Sequence, residues 1–163
     1  MEGTRIAELL DFPEFIPTVV HWFRQEWPDS RDDAAIEERL CGSHERNPLI
    51  IAQRNILPVT LVAIHGSAPV GFVSLIQYEK GIEQGRPHWI DALYVEPSQR
   101  GKGLARQLLL GAEAKGAELN IAELFALTEI PQLYFKCGWR GVEEIATPTG
   151  RDLIVAKSLA EKE

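Results

Sequence analysis

The chain has 163 residues, 45% of them hydrophobic, with 17 Lys and Arg against 24 Asp and Glu for a formal charge of −7. This length buries one substantial core, so a single domain over residues 1–163 is expected, and the acidic balance argues against a nucleic-acid surface while favouring cationic partners. Two scattered cysteines make no disulfide framework or metal cluster, no run approaches membrane-spanning length, and Met1–Leu10 carries Glu2 and Glu8 in place of an apolar signal core, so a cytoplasmic protein without a membrane partner is expected.

Arg5–Leu10 reads as an edge strand, followed by a helix from Pro13 to Trp27 that places Ile16, Val20, Phe23 and Trp27 on one face and stops at Pro28. Asp32–Leu40 reads as a second short helix with aspartates near its start, and Gly42–Pro48 as a loop. Pro58–Ile64 and Val70–Tyr78 are apolar strands joined by a hairpin connection over His65–Pro69. A polar loop over Glu79–Pro87 leads to a strand at Trp89–Val95, then a helix from Leu104 whose Leu104, Leu108 and Leu109 form an apolar stripe. Ile121–Leu127 is another strand, Pro131–Lys136 a short helix, and Trp139–Ile145 with Asp152–Ser158 a terminal hairpin turning at Pro148–Gly150. The order implies an α/β fold, a mixed and mostly antiparallel twisted sheet with helices on both faces.

The segment that carries chemistry is Val95-Glu-Pro-Ser-Gln-Arg-Gly-Lys-Gly-Leu-Ala105, small residues between an apolar strand and an amphipathic helix. Gly101 and Gly103 let the turn pass close to a ligand. A phosphate here meets free amides and the positive end of the helix dipole, with Arg100 and Lys102 adding charge. The turn therefore reads as a diphosphate cradle. It lacks the spacing of a Walker A loop, and Leu104-Ala105-Arg106 follows where a dinucleotide fingerprint needs its third glycine.

Residue by residue, Val95-x-Pro97 and Arg100-Gly101-Lys102-Gly103-Leu104-Ala105 resemble motif A of the Gcn5-related N-acetyltransferases (GNAT), with Gln99 just ahead. Downstream, Ile130-Pro-Gln-Leu-Tyr-Phe-Lys-Cys-Gly-Trp139 resembles that family's motif B, a short helix carrying Tyr and ending in Gly-Phe or Gly-Trp. The resemblance spans nearly the whole chain and is most specific between Trp89 and Trp139. It implies the acyl-CoA N-acyltransferase fold, with acetyl-CoA as donor, no metal, and parallel strands that splay around the coenzyme. Leu93, Tyr94 and Val95 would then present backbone groups to the pantetheine arm, and Gln99, Arg100, Gly101, Lys102, Gly103, Leu104 and Ala105 would hold the pyrophosphate. Thr128, Glu129 and Gln132 would meet the outer part of the coenzyme.

Acetyl transfer to an amine needs one proton removed from the nucleophile and one delivered to the departing sulfur. Tyr134 matches the family position that often donates to the thiolate. Asp91 interrupts an apolar strand, and regular alternation puts it on the face of Leu93 and Val95; it reads either as a cleft carboxylate acting on the amine or as a paired structural carboxylate. Glu26, Glu79 and Glu83 are further acidic candidates near the acceptor site, while Trp22 or Trp27 would wall it. His21, His44, His65 and His88 form no metal signature, and Cys137 reads as a structural cysteine. The expected acceptor is a cationic small molecule, with a protein or peptide amine, or a noncatalytic coenzyme-binding domain, as alternatives. An edge strand or the terminal hairpin offers a route to a homodimer.

Overall fold

The structure is a computed structural model and describes residues 3–28, 32–42, 57–78, 84–148 and 150–159. The loop read over 43–48, with His44, the stretch on to Asn55, and also Glu79, Glu83 and Thr149, lie outside the described residues. Strand β1 (Thr4–Glu8) is shorter than the sequence suggests because Leu9–Asp11 turns into a 3₁₀ helix. Helix α1 (Ile16–Glu26) follows a 3₁₀ turn over Pro13–Phe15 and accommodates Pro17 in its first turn, where an amide has no helical acceptor to lose. Its buried stripe is Val19, Val20, Trp22 and Phe23. Trp27 falls just past the helix end and is exposed, its ring resting on Phe23. Helix α2 (Asp33–Cys41) is capped by Asp32, whose carboxylate accepts the Ala35 amide at 2.9 Å.

Strands β2 (Val59–His65), β3 (Ala68–Gln77) and β4 (His88–Val95) extend the sheet antiparallel from β1. Helix α3 (Leu104–Glu118) then crosses to β5 (Glu123–Thr128), which lies parallel to β4. The short helix α4 (Pro131–Lys136) precedes β6 (Arg140–Thr147) and β7 (Gly150–Ser158). Among the described residues seven strands run in the order β1-β2-β3-β4-β5-β7-β6, so β7 inserts between its hairpin partner and β5.

Two apolar layers sandwich this sheet. On one face Leu104, Leu108, Leu109 and Ala112 of α3 pack against Leu61, Val73, Leu75, Ile90 and Leu124. On the other, α1 and α2 cover Val62, Ile64, Phe72, Ala92 and Tyr94. Coverage from both sides explains why β2 is buried at six consecutive positions and does not alternate. Beneath α3, β3 makes its closest approach at Gly71, where a Cβ would stand 2.6 Å from the Tyr94 carbonyl oxygen. A side chain there would push β4 out of place.

The register between β3 and β4 slips between Ser74↔Ala92 and Leu75↔Ile90, leaving Asp91 as the extra residue of a β-bulge. Regular alternation therefore fails here, and the expectation that Asp91 shares a face with Leu93 and Val95 is corrected. Leu93 and Val95 pack in the α3 layer, whereas Asp91 turns to α2. Both of its oxygens are held by Arg39, from Nε and Nη2 at 2.6 Å each. Of the two readings of this carboxylate, the structure realises the paired one. The hydrogen bonds to Asp91, with its negative charge close by, outweigh partial burial and hold the Arg39 guanidinium above its usual pKa. Because the Asp91 side chain is only 10% exposed, Arg39→Ala should cost about 2 kcal/mol in urea unfolding, while the apolar pair Arg39→Met with Asp91→Leu should restore most of that loss.

Candidate functional site

The bulge also ends the pairing of β4 with β5. These strands pair at Trp89↔Phe125 and Ile90↔Ala126, and β4 then runs on to Val95 with its β5 side open. A bulge bends its strand and increases the local twist, which accounts for the divergence beginning one residue beyond Ile90. A cavity of about 460 Å³ lies beside this open end of β4. Leu93, Tyr94 and Val95 line it from β4. Arg100, Gly101, Gly103, Leu104, Ala105 and Arg106 line it from the turn and α3, Ile130 and Leu133 from the start of α4, and Glu26 from the end of α1.

The floor at one end is the turn into α3. Gly101 and Gly103 each have φ +80°, a left-handed conformation that side chains with a Cβ rarely adopt. Nothing lies within 4 Å of where a Cβ would stand at either, so backbone conformation and not crowding selects glycine, and the space above remains free. The first i to i−4 bond of α3 runs from the Gln107 amide to the Gly103 carbonyl, so the preceding amides face outward without helical acceptors. Arg100 braces the turn: its Nε donates to the Val95 carbonyl at 2.8 Å and its guanidinium lies 5.7 Å from the centre of the Tyr94 ring. Free amides, a positive helix end and two arginines suit a diphosphate.

Eight of the thirteen residues expected around the coenzyme line the cavity: Leu93, Tyr94, Val95, Arg100, Gly101, Gly103, Leu104 and Ala105. Gln99, Lys102, Thr128, Glu129 and Gln132 stand outside its lining. Gln99 ends a 3₁₀ turn and accepts from Lys102 Nζ at 3.2 Å, and Gln132 is exposed on α4. Thr128 is buried, and its hydroxyl accepts the Ile130 amide at 2.9 Å, which shapes the entry to α4; Glu129 is exposed. Arg106, Ile130 and Leu133 line the cavity without having been singled out as binding residues. The signal for the last two was an apolar pair three apart around Pro131, the spacing of one face of a short helix.

Tyr134 sits one residue beyond Leu133, inside the α3 layer of the core, and does not itself line the cavity. Its ring meets Trp139 edge-on at 5.1 Å and 76°. Burial, with the neighbouring Cys137 adding to it, pushes its phenol well above the usual tyrosine value. Burial raises the Tyr94 phenol too; Arg100 opposes that shift, and Glu26 and Glu96 reinforce it. Glu26 is the one carboxylate among the described residues that lines the cavity. Trp22 is buried against Phe72 and Tyr94, behind the site and not in its wall. His88 opens β4 opposite Gln77, with its pKa lowered by burial, and His21 lines a smaller groove between α1 and α2. Cys41 and Cys137 are both buried thiols. Among the described residues, no group of three or more His, Cys, Asp or Glu side chains gathers as a metal site.

Comparison with known proteins follows the same lines. No curated protein sequence matches the chain significantly. Among solved structures, an aminoglycoside 6′-N-acetyltransferase complexed with coenzyme A superposes with a TM-score of 0.72 at 20% identity, covering 98% of this chain and 99% of that one. The aminoglycoside 6′-N-acetyltransferase from Enterococcus faecium gives 0.72 at 19%, with coverages of 98% and 99%. The yncA protein of Salmonella typhimurium, solved with its cofactor acetyl-CoA, gives 0.69 at 16%, covering all of this chain and 96% of that one. At these identities the likeness is one of fold. The sequence profile of the acetyltransferase (GNAT) family matches residues 16–139, most of the chain and all of the cavity lining described above, and the chain belongs to that family.

Proposed function

We propose that this chain transfers the acetyl group of acetyl-CoA directly to an amine held beside it, with a cationic small molecule as the acceptor. The observation that carries the reading is the cavity beside the end of β4 that has left β5, with the amide-rich start of α3 as its floor. Acetyl-CoA supplies the activated acyl group. The α3 amides and Arg106 hold its diphosphate, Arg100 keeps the turn in shape, and Ile130 and Leu133 cover the pantetheine with apolar surface.

Holding both reactants in one cavity turns a bimolecular attack into an oriented, effectively unimolecular one. As the new C–N bond forms and the C–S bond breaks, the nitrogen sheds a proton and the sulfur gains one. Glu26, exposed at the end of α1 and at the edge of the cavity, attracts the incoming ammonium and relays its proton to water. The net charge of −7 adds a longer-range bias in the same direction. Tyr134, one residue beyond the cavity-lining Leu133 and at the position that the motif B resemblance gives to the donor, is the group assigned to protonate the developing thiolate; burial keeps its proton in place at neutral pH. Both Asp91 oxygens are engaged by Arg39 and the residue is outside the cavity lining, so its contribution is to hold the bulge.

Calorimetric titration with acetyl-CoA should give one saturable site. Gly103→Glu, which places a side chain in a left-handed position and a negative charge at the helix start, should weaken that site by about tenfold or more. No binding by folded wild-type protein would reject the donor. Tyr134→Phe should lower kcat by about 100-fold with the acetyl-CoA affinity unchanged. Because the phenol is shifted upward, away from neutral pH, kcat/KM should rise from about pH 6 to about pH 9 with the free amine and show no falling tyrosine limb. Undiminished binding with no turnover on any amine would favour a noncatalytic coenzyme-binding domain. Glu26→Gln should raise KM for spermidine and kanamycin several-fold while leaving acetyl-CoA binding intact; a preference for peptide amines in the same assay would redirect the acceptor class.

A further inference from the structure

The buried carboxylate of Glu113 on α3 has no part in the site described above. It is 8% exposed, and both of its oxygens are engaged: Oε1 lies 2.5 Å from Lys157 Nζ, and Oε2 accepts the Trp139 indole N–H at 3.2 Å. The same ammonium of Lys157, on β7, donates to the Cys137 carbonyl at 2.6 Å. Both branches lead to Tyr134. Trp139 is the aromatic wall against which the tyrosine ring rests. Cys137 closes α4, and the Cys137 and Trp139 amides both donate to the Tyr134 carbonyl, at 2.9 and 3.1 Å.

We propose that Glu113 and Lys157 are positioning residues for Tyr134, fixing its ring through Trp139 and its backbone through Cys137. The inference rests on the reading of Tyr134 as proton donor. A helix of six residues has little stability of its own, so the orientation of α4 has to come from tertiary contacts. An apolar cluster would brace it with less desolvation cost than a buried ion pair. What the pair adds is direction: three bonds with defined geometry tie the start of β6, the end of α4 and the helix that floors the cavity into one frame.

The chain contains three tyrosines, so labelling with 3-fluorotyrosine gives three ¹⁹F signals, the one for Tyr134 identified by its loss in Tyr134→Phe. Glu113→Gln and Lys157→Met should shift or broaden the Tyr134 signal and leave those of Tyr78 and Tyr94 in place, while Lys157→Arg retains the wild-type spectrum. Should the first two fail to fold, Trp139→Phe removes one bond to Glu113 and keeps an aromatic wall, and it should move the same signal. In thiol release from acetyl-CoA with spermidine as acceptor, Glu113→Gln should lower kcat about tenfold with acetyl-CoA affinity within about twofold of wild type, and have no further effect in a Tyr134→Phe background. An unmoved Tyr134 signal in a folded variant, or an equal kcat loss in both backgrounds, would overturn the proposal. Full turnover by Tyr134→Phe would instead remove the proton-donor reading, and the fluorine spectra would still decide whether the pair positions the ring.

Discussion

Everything at the site depends on β4 being able to keep one neighbour while leaving the other. Its antiparallel ladder with β3 continues as far as Gly71↔Val95, yet its parallel ladder with β5 stops at Ile90↔Ala126. Had both ladders continued, the backbone groups of Leu93–Val95 would be spent on the sheet and not open toward the cavity these residues line. The extra residue that permits the divergence is Asp91, and the force that holds it is the two-bond ion pair with Arg39. Helix α2, remote from the cavity lining, thus maintains the bend that opens it.

The two faces of the sheet divide the remaining work. Helix α3, packed through Leu104, Leu108 and Leu109, brings its amide-rich start to the mouth of the strand gap, and α4 follows on the same side with Ile130 and Leu133 at the cavity and Tyr134 behind them. Helix α1, anchored from the opposite face by Val19, Val20, Trp22 and Phe23, delivers Glu26 to the cavity edge. Tyr94 joins the two systems, since its ring packs with Trp22 and Phe72 while also carrying the Arg100 guanidinium. An acidic residue from one layer and basic residues from the other therefore share one apolar cavity, an arrangement suited to a ligand with a diphosphate at one end and a partner with an ammonium at the other.

How far the sequence carried this picture varies by element. Helix α4 was legible to the residue because Pro131 marks its first turn and Gly138 its stop. The N-terminal region was legible in order and blurred at its boundaries: β1 ends at Glu8, and α1 begins at Ile16 behind a 3₁₀ turn that has the same composition as a helix start. The place of Asp91 was misread because a period of two holds only while every residue has a partner. Ile90 and Leu93 share a layer although they are three apart, and that is visible only in the register with β3. Likewise Glu113 occupies a helical position that periodicity marks as buried, but its pairing with Lys157 and Trp139 depends on contacts 44 and 26 residues away in sequence.

The sequence by itself determined the local chemistry: the two glycines that need left-handed conformations, the apolar stripe that makes α3 a helix, and the short motifs that place the chain in its family, because each depends on neighbours a few residues apart. Only the tertiary structure decided which face each polar group meets, where the strands part, and which carboxylate reaches the cavity. Those outcomes depend on register, on a bulge and on packing between distant segments, and no local propensity encodes them.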